Sequence, residues 1–142
     1  MANSITIDQA LREHGPIVAA VRAALPGALA IYAHGSRVEG TANAESDLDL
    51  AVLVAGYADP LTLWTLSGHL ADLASCPVDL LDLRAASTVM QYRVLTTGRR
   101  LWAELPAADA FEAFVLSEKL ALDTARAGLL EDIRERGTVY GR

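Results

Sequence analysis

Residues 35–49 read Gly-Ser-Arg-Val-Glu-Gly-Thr-Ala-Asn-Ala-Glu-Ser-Asp-Leu-Asp, a Gly-Ser pair followed after ten residues by two aspartates one residue apart. In a β-strand, residues two apart point to the same face, so Asp47 and Asp49 present two carboxylates side by side. The apolar residues 50–54 indicate a largely buried strand, where close carboxylates cost free energy unless a cation or protons compensate their charge. The pattern therefore predicts a divalent metal site.

The stretch resembles the signature of the DNA polymerase beta-type nucleotidyltransferase superfamily, and an apolar strand at 28–33 leads into it. At 142 residues the chain is short for that superfamily and is similar to its minimal nucleotidyltransferases. The resemblance implies that Gly35 and Ser36 cradle a nucleotide's triphosphate, since glycine lets the backbone approach and serine offers a hydroxyl and an N–H donor. Arg37 is a further candidate for phosphate contact, and a solvated arginine after the turn is the equal alternative.

The same resemblance implies a third carboxylate from a later strand. Residues 78–83, Val-Asp-Leu-Leu-Asp-Leu, offer Asp79 and Asp82, which their odd separation in a regular strand sends to opposite faces. The family's Val-Asp-Leu pattern matches residues 78–80, so we expect Asp79 to be the third metal ligand. Asp82 is expected to cap the following helix or to face solvent.

Three carboxylates suit nucleotidyl transfer. The reaction needs an activated nucleophile, an electrophilic α-phosphate and a neutralised leaving pyrophosphate, and two metal ions about 3.5 to 4 Å apart serve all three needs. Mg²⁺ prefers oxygen ligands and keeps several waters, so Asp47, Asp49 and Asp79 with substrate phosphates would suffice. We therefore expect these three residues to form a catalytic site with two Mg²⁺ ions; manganese would serve similarly.

The composition limits the class of protein. With 52% hydrophobic and 21% charged residues it is globular, and residues 1–142 are predicted to form one domain. The net charge of −6 argues against a general nucleic-acid binder, which needs clustered Lys and Arg. Cys76 is the only cysteine, and neither a signal-peptide pattern nor a run of roughly 20 apolar residues is visible. We expect a cytoplasmic protein that contacts neither nucleic acid nor membrane.

Hydrophobic periodicity and helix-breaking residues predict an α/β (α+β) fold: a small mixed β-sheet with flanking helices and a long C-terminal helix. Thr6 begins a capping-box pattern, and Gly15-Pro16 predicts a kinked helix or a short helix followed by a second. Asp59-Pro60 is typical of a helix start. Strands are predicted at 28–33, 46–54 and 77–83, with a short edge strand at 100–103; later helices are predicted at 86–97 and 109–136.

Most of the chain beyond the motif resembles the antitoxin of the HEPN/MNT toxin-antitoxin modules, which pair with a helical HEPN ribonuclease. The resemblance extends over the third strand, the helix beyond it, residues 98–102 and the C-terminal helix, which finishes in residues 136–141. It implies transfer of AMP from ATP onto a tyrosine of the toxin, so the nucleophile would belong to the partner. Two readings stay open beside it: a small-molecule nucleotidyltransferase of the aminoglycoside type, and a silent antitoxin that acts by binding alone. Self-association into a homo-oligomer also stays open.

The last helix carries apolar residues on two sides. Its predicted core positions are Phe111, Phe114, Val115, Leu122, Leu129 and Ile133, and a second side is formed by Leu116, Leu120 and Leu130. Docking of another chain and packing on a neighbouring helix explain the second side about equally well.

His34 departs from the family's motif. The family usually has an aromatic or apolar residue just before Gly-Ser. A packed or solvent-facing histidine at the strand end and a residue lining the nucleotide pocket are both compatible with this position.

Overall fold

The structure, a computed structural model, describes residues 6–43 and 46–136; the predicted similarity at residues 137–141 lies outside this range. The helices are α1 (Ile7–Ala10), α2 (Pro16–Ala24), α3 (Ser36–Glu39), α4 (Pro60–Ala74), α5 (Thr88–Thr97) and α6 (Ala107–Arg136). The strands are β1 (Ala28–His34), β2 (Leu48–Val54), β3 (Val78–Asp82) and β4 (Arg99–Ala103). The predicted fold class, a mixed sheet with flanking helices and a long last helix, is confirmed.

The four strands form one sheet in the order β3-β2-β1-β4. β1 pairs antiparallel with β2 and with β4, whereas β2 and β3 are parallel. Parallel neighbours need a crossover connection, which α4 provides. β4 is an edge strand, as predicted, and the strand that carries the aspartate motif lies in the interior of the sheet.

Each face of the sheet is covered by an apolar core. Leu48, Leu50 and Val52 of β2 pack with residues of α2 and α4. Ala51 and Leu53 pack with residues of α5 and α6 on the other face. Because side chains alternate along a strand, Asp49 belongs to the face of Ala51 and Leu53. The prediction of a buried strand after the aspartates is confirmed, since residues 50–54 are at most 5% exposed.

The ends of the first helices follow the sequence signals. The Gln9 N–H donates to Thr6 Oγ1 over 3.1 Å and the Thr6 N–H donates to Gln9 Oε1 over 3.0 Å, which completes the predicted capping box. Pro16 begins a second helix after the short first one, so separate helices are formed rather than a kink. The Thr62 N–H donates to Asp59 Oδ2 over 2.9 Å, so Asp59 caps α4 as predicted.

Several bounds differ slightly from the prediction. β2 begins at Leu48 instead of residue 46, where the Leu48 N–H donates to Pro77 O over 2.9 Å. α5 begins after residue 87 instead of at 86, because Ser87 Oγ accepts from the Met90 N–H over 3.2 Å and caps the helix. β3 is one residue shorter than predicted at each end, and α6 begins at residue 107 instead of 109.

The predicted core spacing of the last helix holds only in its first turns. Phe111 and Val115 are buried, but Phe114, Leu122 and Leu129 are 58%, 46% and 57% exposed, so their assignment to the core is wrong. Helical spacing identifies an apolar face and does not reveal how much protein lies beneath it. Despite these side chains, neither α6 nor any other helix in the described parts of the chain is long and apolar enough to cross a membrane.

Candidate active site

Asp49 lies in the middle of a row of polar residues that crosses the sheet. The register places His34 of β1 opposite Asp49 on one side and Asp79 of β3 opposite it on the other. Residues paired across neighbouring strands share a face of the sheet. The structure therefore places Asp79 beside Asp49, as the sequence predicts, while alternation along β3 turns Asp82 to the other face.

Asp47 approaches this row from the segment just before β2. Its side chain is exposed, and its charge acts on Asp49. The Arg37 guanidinium holds the segment in place, because Nε and Nη2 donate to Ser46 O over 3.1 and 2.8 Å. Arg37 is thus engaged with the main chain beside Asp47, and its contact with a nucleotide stays a prediction.

The three aspartates concentrate negative charge at this end of the sheet. Burial raises the pKa of Asp49, and the charges of Asp79 and Asp47 raise it further, whereas His34 acts in the opposite direction. A half-buried carboxylate with two acidic neighbours is stabilised by a proton or by a cation. The site therefore favours a bound cation for the reason that the sequence motif suggests.

The turn at Gly35 rests directly on Asp49. Its φ of 79° and ψ of −163° lie in a region that is essentially restricted to glycine. A Cβ added at Gly35 would overlap Asp49 Oδ2 and stand 3.1 Å from Asp49 Cγ. Ser36 follows as the first residue of α3. A phosphate on the Gly35-Ser36 turn would consequently lie next to the carboxylate of Asp49.

The donor set fits Mg²⁺, although the ligands are not gathered into a complete cluster. Carboxylate oxygens such as those of Asp47, Asp49 and Asp79 are the ligands that Mg²⁺ prefers. Within residues 6–43 and 46–136, no group of three His, Cys, Asp or Glu side chains is close enough to hold a metal ion. Mg²⁺ commonly binds through one or two carboxylates, waters and substrate phosphates. The arrangement therefore suits an ion that binds together with a nucleotide.

His34 is half-buried beside Asp49 and does not simply face solvent. Its Nε2 is buried and has no hydrogen-bond partner among the described residues. Gly98 closes the space next to it, because a Cβ at Gly98 would stand 3.3 Å from His34 Cβ and 2.8 Å from Ala33 O. The sequence predicts Gly98 only as a helix end, and no local signal indicates that it packs against the strand of the site.

Asp82 supports the fold on the opposite face. Its Oδ2 accepts from the Ala58 N–H over 2.9 Å, which fixes the loop before α4. Ser87 caps the following helix, and Asp82 Oδ1 is buried. The expectation that Asp82 caps that helix or faces solvent is therefore wrong, since its side chain turns toward the loop between β2 and α4.

One family model matches the segment that contains the Gly-Ser turn, the Asp-x-Asp motif and the strands. The family model described as Polymerase beta, Nucleotidyltransferase matches residues 22–105. The chain belongs to the polymerase beta nucleotidyltransferase family. Membership of this family confirms the superfamily that the Gly-Ser and Asp-x-Asp pattern predicts.

Similar nucleotidyltransferases occur in toxin-antitoxin modules. The protein adenylyltransferase MntA of Shewanella oneidensis is 35% identical over 117 residues, which cover 82% of this chain and 84% of MntA. A crystal structure of a toxin-antitoxin with AMP-PNP has a TM-score of 0.72 at 35% identity, covering 83% of this chain and 95% of that one. The MNT antitoxin in complex with the tri-AMPylated Shewanella oneidensis HEPN toxin has a TM-score of 0.70 at 32% identity, covering 89% and 98%. The predicted resemblance to MNT antitoxins is confirmed.

Proposed function

We propose that this nucleotidyltransferase is an antitoxin that transfers AMP from ATP to a tyrosine hydroxyl of a HEPN-type toxin and thereby neutralises it. The observation that carries the proposal is the position of Asp49, which has Asp79 opposite it and the Gly35 turn resting on it. The similarity to an adenylyltransferase and to the antitoxin of an AMPylated HEPN toxin supports ATP as donor and a protein as acceptor.

In this proposal Asp47, Asp49 and Asp79 would hold two Mg²⁺ ions, which would neutralise the triphosphate and stabilise the charge that develops during transfer. Gly35 and Ser36 orient the triphosphate, and Arg37 keeps Asp47 in place through Ser46. The tyrosine oxygen forms a bond to the α-phosphorus, the bond to pyrophosphate breaks, and the hydroxyl proton is released.

The open site favours a protein acceptor. Asp47 and Asp79 are exposed at the surface. A small cationic acceptor such as an aminoglycoside would need an acidic pocket around it, whereas a protein brings its own surface to the carboxylates. Action in the cytoplasm is part of the proposal, because Cys76 alone allows no internal disulfide.

Labelled ATP tests the proposal. The chain, Mg²⁺, labelled ATP and the HEPN-type protein encoded beside its gene are incubated together, and the modified residue is located by mass spectrometry. Asp49→Asn and Asp79→Asn should lower transfer at least about 100-fold, since each removes a ligand of the Mg²⁺ that would stabilise charge at the reacting phosphate. Asp72→Asn, which alters an exposed carboxylate on α4, is the matched control.

The other outcomes identify the alternatives. An unlabelled toxin that is still neutralised by the Asp47→Ala, Asp49→Ala double variant would indicate an antitoxin that acts by binding alone. Label on an aminoglycoside in place of the toxin would indicate a small-molecule nucleotidyltransferase.

A further inference from the structure

The second half of α6 extends beyond the body of the protein. Val115 is buried, and Lys119 Nζ lies 4.7 Å from the centre of the Tyr92 ring on α5. From that point the helix is solvated, since residues 120–131 are all exposed. At 1.5 Å per residue, residues 120–136 form an extension about 25 Å long. We call these residues the α6 extension.

An apolar stripe continues along the extension in line with the buried face of the helix. With about 100° between successive residues, Leu122, Leu129 and Ile133 lie within about 40° of Val115 around the helix axis. Val115 and Phe111 pack this face onto the sheet. The same face is therefore covered by the protein in its first half, whereas Leu122 and Leu129 in its second half are exposed and Ile133 is half-buried.

Charged residues of the extension pair within the helix itself, one of them with Lys119 just before the extension. These ion pairs are Lys119–Asp123 at 2.7 Å, Glu131–Arg134 at 3.1 Å and Asp132–Arg136 at 3.1 Å. Isolated helices of this length are only marginally stable in water, and most helical stability in proteins comes from packing of an apolar face. The extension thus has the properties of a helix that a second surface covers through apolar contacts.

We propose that the α6 extension docks an apolar helix of the toxin that accepts AMP, with Leu122, Leu129 and Ile133 at the centre of the interface. This inference rests on the proposed function. α6 covers the same face of the sheet that carries Asp49, and the similar MNT antitoxin forms a complex with its HEPN toxin.

A paired substitution tests the docking surface. Leu122→Gln with Leu129→Gln removes two apolar contacts, and Leu61→Gln with Val89→Gln is the matched control at sites that are 70% and 57% exposed. Affinity for the HEPN-type neighbour is measured by calorimetry and helix content by circular dichroism. Loss of two central contacts should raise Kd about 100-fold, while Mg²⁺-dependent binding of an ATP analogue and the control pair stay unchanged.

The possible outcomes test toxin docking and AMP transfer separately. Unchanged toxin affinity in the Leu122, Leu129 variant would overturn the inference. A loss of toxin affinity that is seen only in the control pair would overturn it as well, and so would a wild-type protein that does not bind the toxin. A wild-type dimer that the variant abolishes would show that a second copy covers the stripe, and would overturn it too. Wild-type protein that binds the toxin through the stripe but transfers no AMP would contradict the proposed function and leave the docking surface intact.

Discussion

Substitution of two glycines separates backbone strain from the contact between the turn and Asp49. Gly35 and Gly40 have φ angles of 79° and 83°, which side chains rarely adopt. A Cβ at Gly35 would overlap Asp49 Oδ2, whereas a Cβ at Gly40 meets nothing within 4 Å. Gly40→Ala therefore introduces strain alone, and Gly35→Ala introduces strain together with displacement of the carboxylate.

The two variants should differ in stability. Gly40 has ψ of 12°, in the left-handed helical region, where an alanine costs about 1 to 2 kcal/mol. Gly35 has ψ of −163°, where backbone strain costs about 1 to 3 kcal/mol before the collision with Asp49 is added. With roughly 4 °C per kcal/mol for a domain of this size, Gly40→Ala should lower Tm by about 4 to 8 °C and Gly35→Ala by more than Gly40→Ala.

The larger difference should appear in activity. A reacting group displaced by about 1 Å can cost about 100-fold in rate, so Gly35→Ala should lose AMP transfer by at least that factor. Gly40→Ala should keep transfer close to the wild-type rate. Thermal denaturation gives the Tm values, calorimetry with Mg²⁺ and a non-hydrolysable ATP analogue gives the affinities, and single-turnover labelling below both melting temperatures gives the rates.

Equal losses of transfer in the two variants would refute the reasoning, because the contact with Asp49 would then add nothing to backbone strain. Full transfer by folded Gly35→Ala would refute it as well, since the turn would not need to rest on the carboxylate.

The surroundings of Asp49 offer three further tests. Because the pKa of Asp49 is raised in the folded state, ionisation of its carboxyl lowers the stability of the fold as pH rises through that pKa. Asp49→Asn should therefore raise the Tm of the metal-free protein at neutral pH, and the difference in Tm from the wild type should disappear in acid. A lower Tm of the variant at neutral pH would contradict the expectation. Tyr32→Phe removes the hydrogen bond to Glu112 Oε2, 2.7 Å long, and should cost about 1 to 2 kcal/mol in urea denaturation, whereas no change would indicate that the bond contributes nothing. Arg37→Ala frees the main chain at Ser46 and should weaken Mg²⁺ affinity. Arg37→Lys should not restore the affinity, because lysine lacks the paired N–H donors of the guanidinium group. Restoration by lysine together with a changed KM for ATP would instead indicate phosphate contact.

Local sequence signals predict much of this molecule because each depends on near neighbours. The capping box at Thr6 and the cap at Asp59 involve residues three apart, so their geometry is set within one helical turn. The choice of Asp79 over Asp82 depends only on alternation along a strand, and the register with Asp49 agrees with it.

Contacts between distant elements are not predictable from such signals. Gly98 packs against His34, and Asp82 bonds the main chain of Ala58, only because the sheet places their strands and loops together. The leucines of the α6 extension illustrate the same limit. Helical spacing repeats regardless of whether another layer lies below it, so the sequence cannot show where the sheet ends under α6.

Tyr32 fixes α6 to the strand that borders the site. Arg100 Nη1 donates to Glu112 Oε2 over 2.8 Å and to Asp109 Oδ1 over 2.9 Å, so the carboxylate that receives the Tyr32 hydroxyl is itself held by a cation from β4. Burial raises the pKa of Tyr32 well above its ordinary value, and the hydrogen bond to Glu112 adds to the shift. The hydroxyl therefore remains a donor at physiological pH, and the link between β1 and α6 persists.

Because of this link, toxin binding and AMP transfer should depend on α6 in different ways. Tyr32 lies on the face of the sheet that carries Asp49, and through Glu112 it holds the first turns of α6, which fixes the position from which the α6 extension continues. A toxin docked on the extension would present its hydroxyl at high effective concentration only while that position is fixed. Tyr32→Phe should then slow transfer at saturating toxin without weakening binding. Leu122→Gln should weaken binding without slowing saturated transfer, and identical behaviour of the two variants would contradict this division of roles.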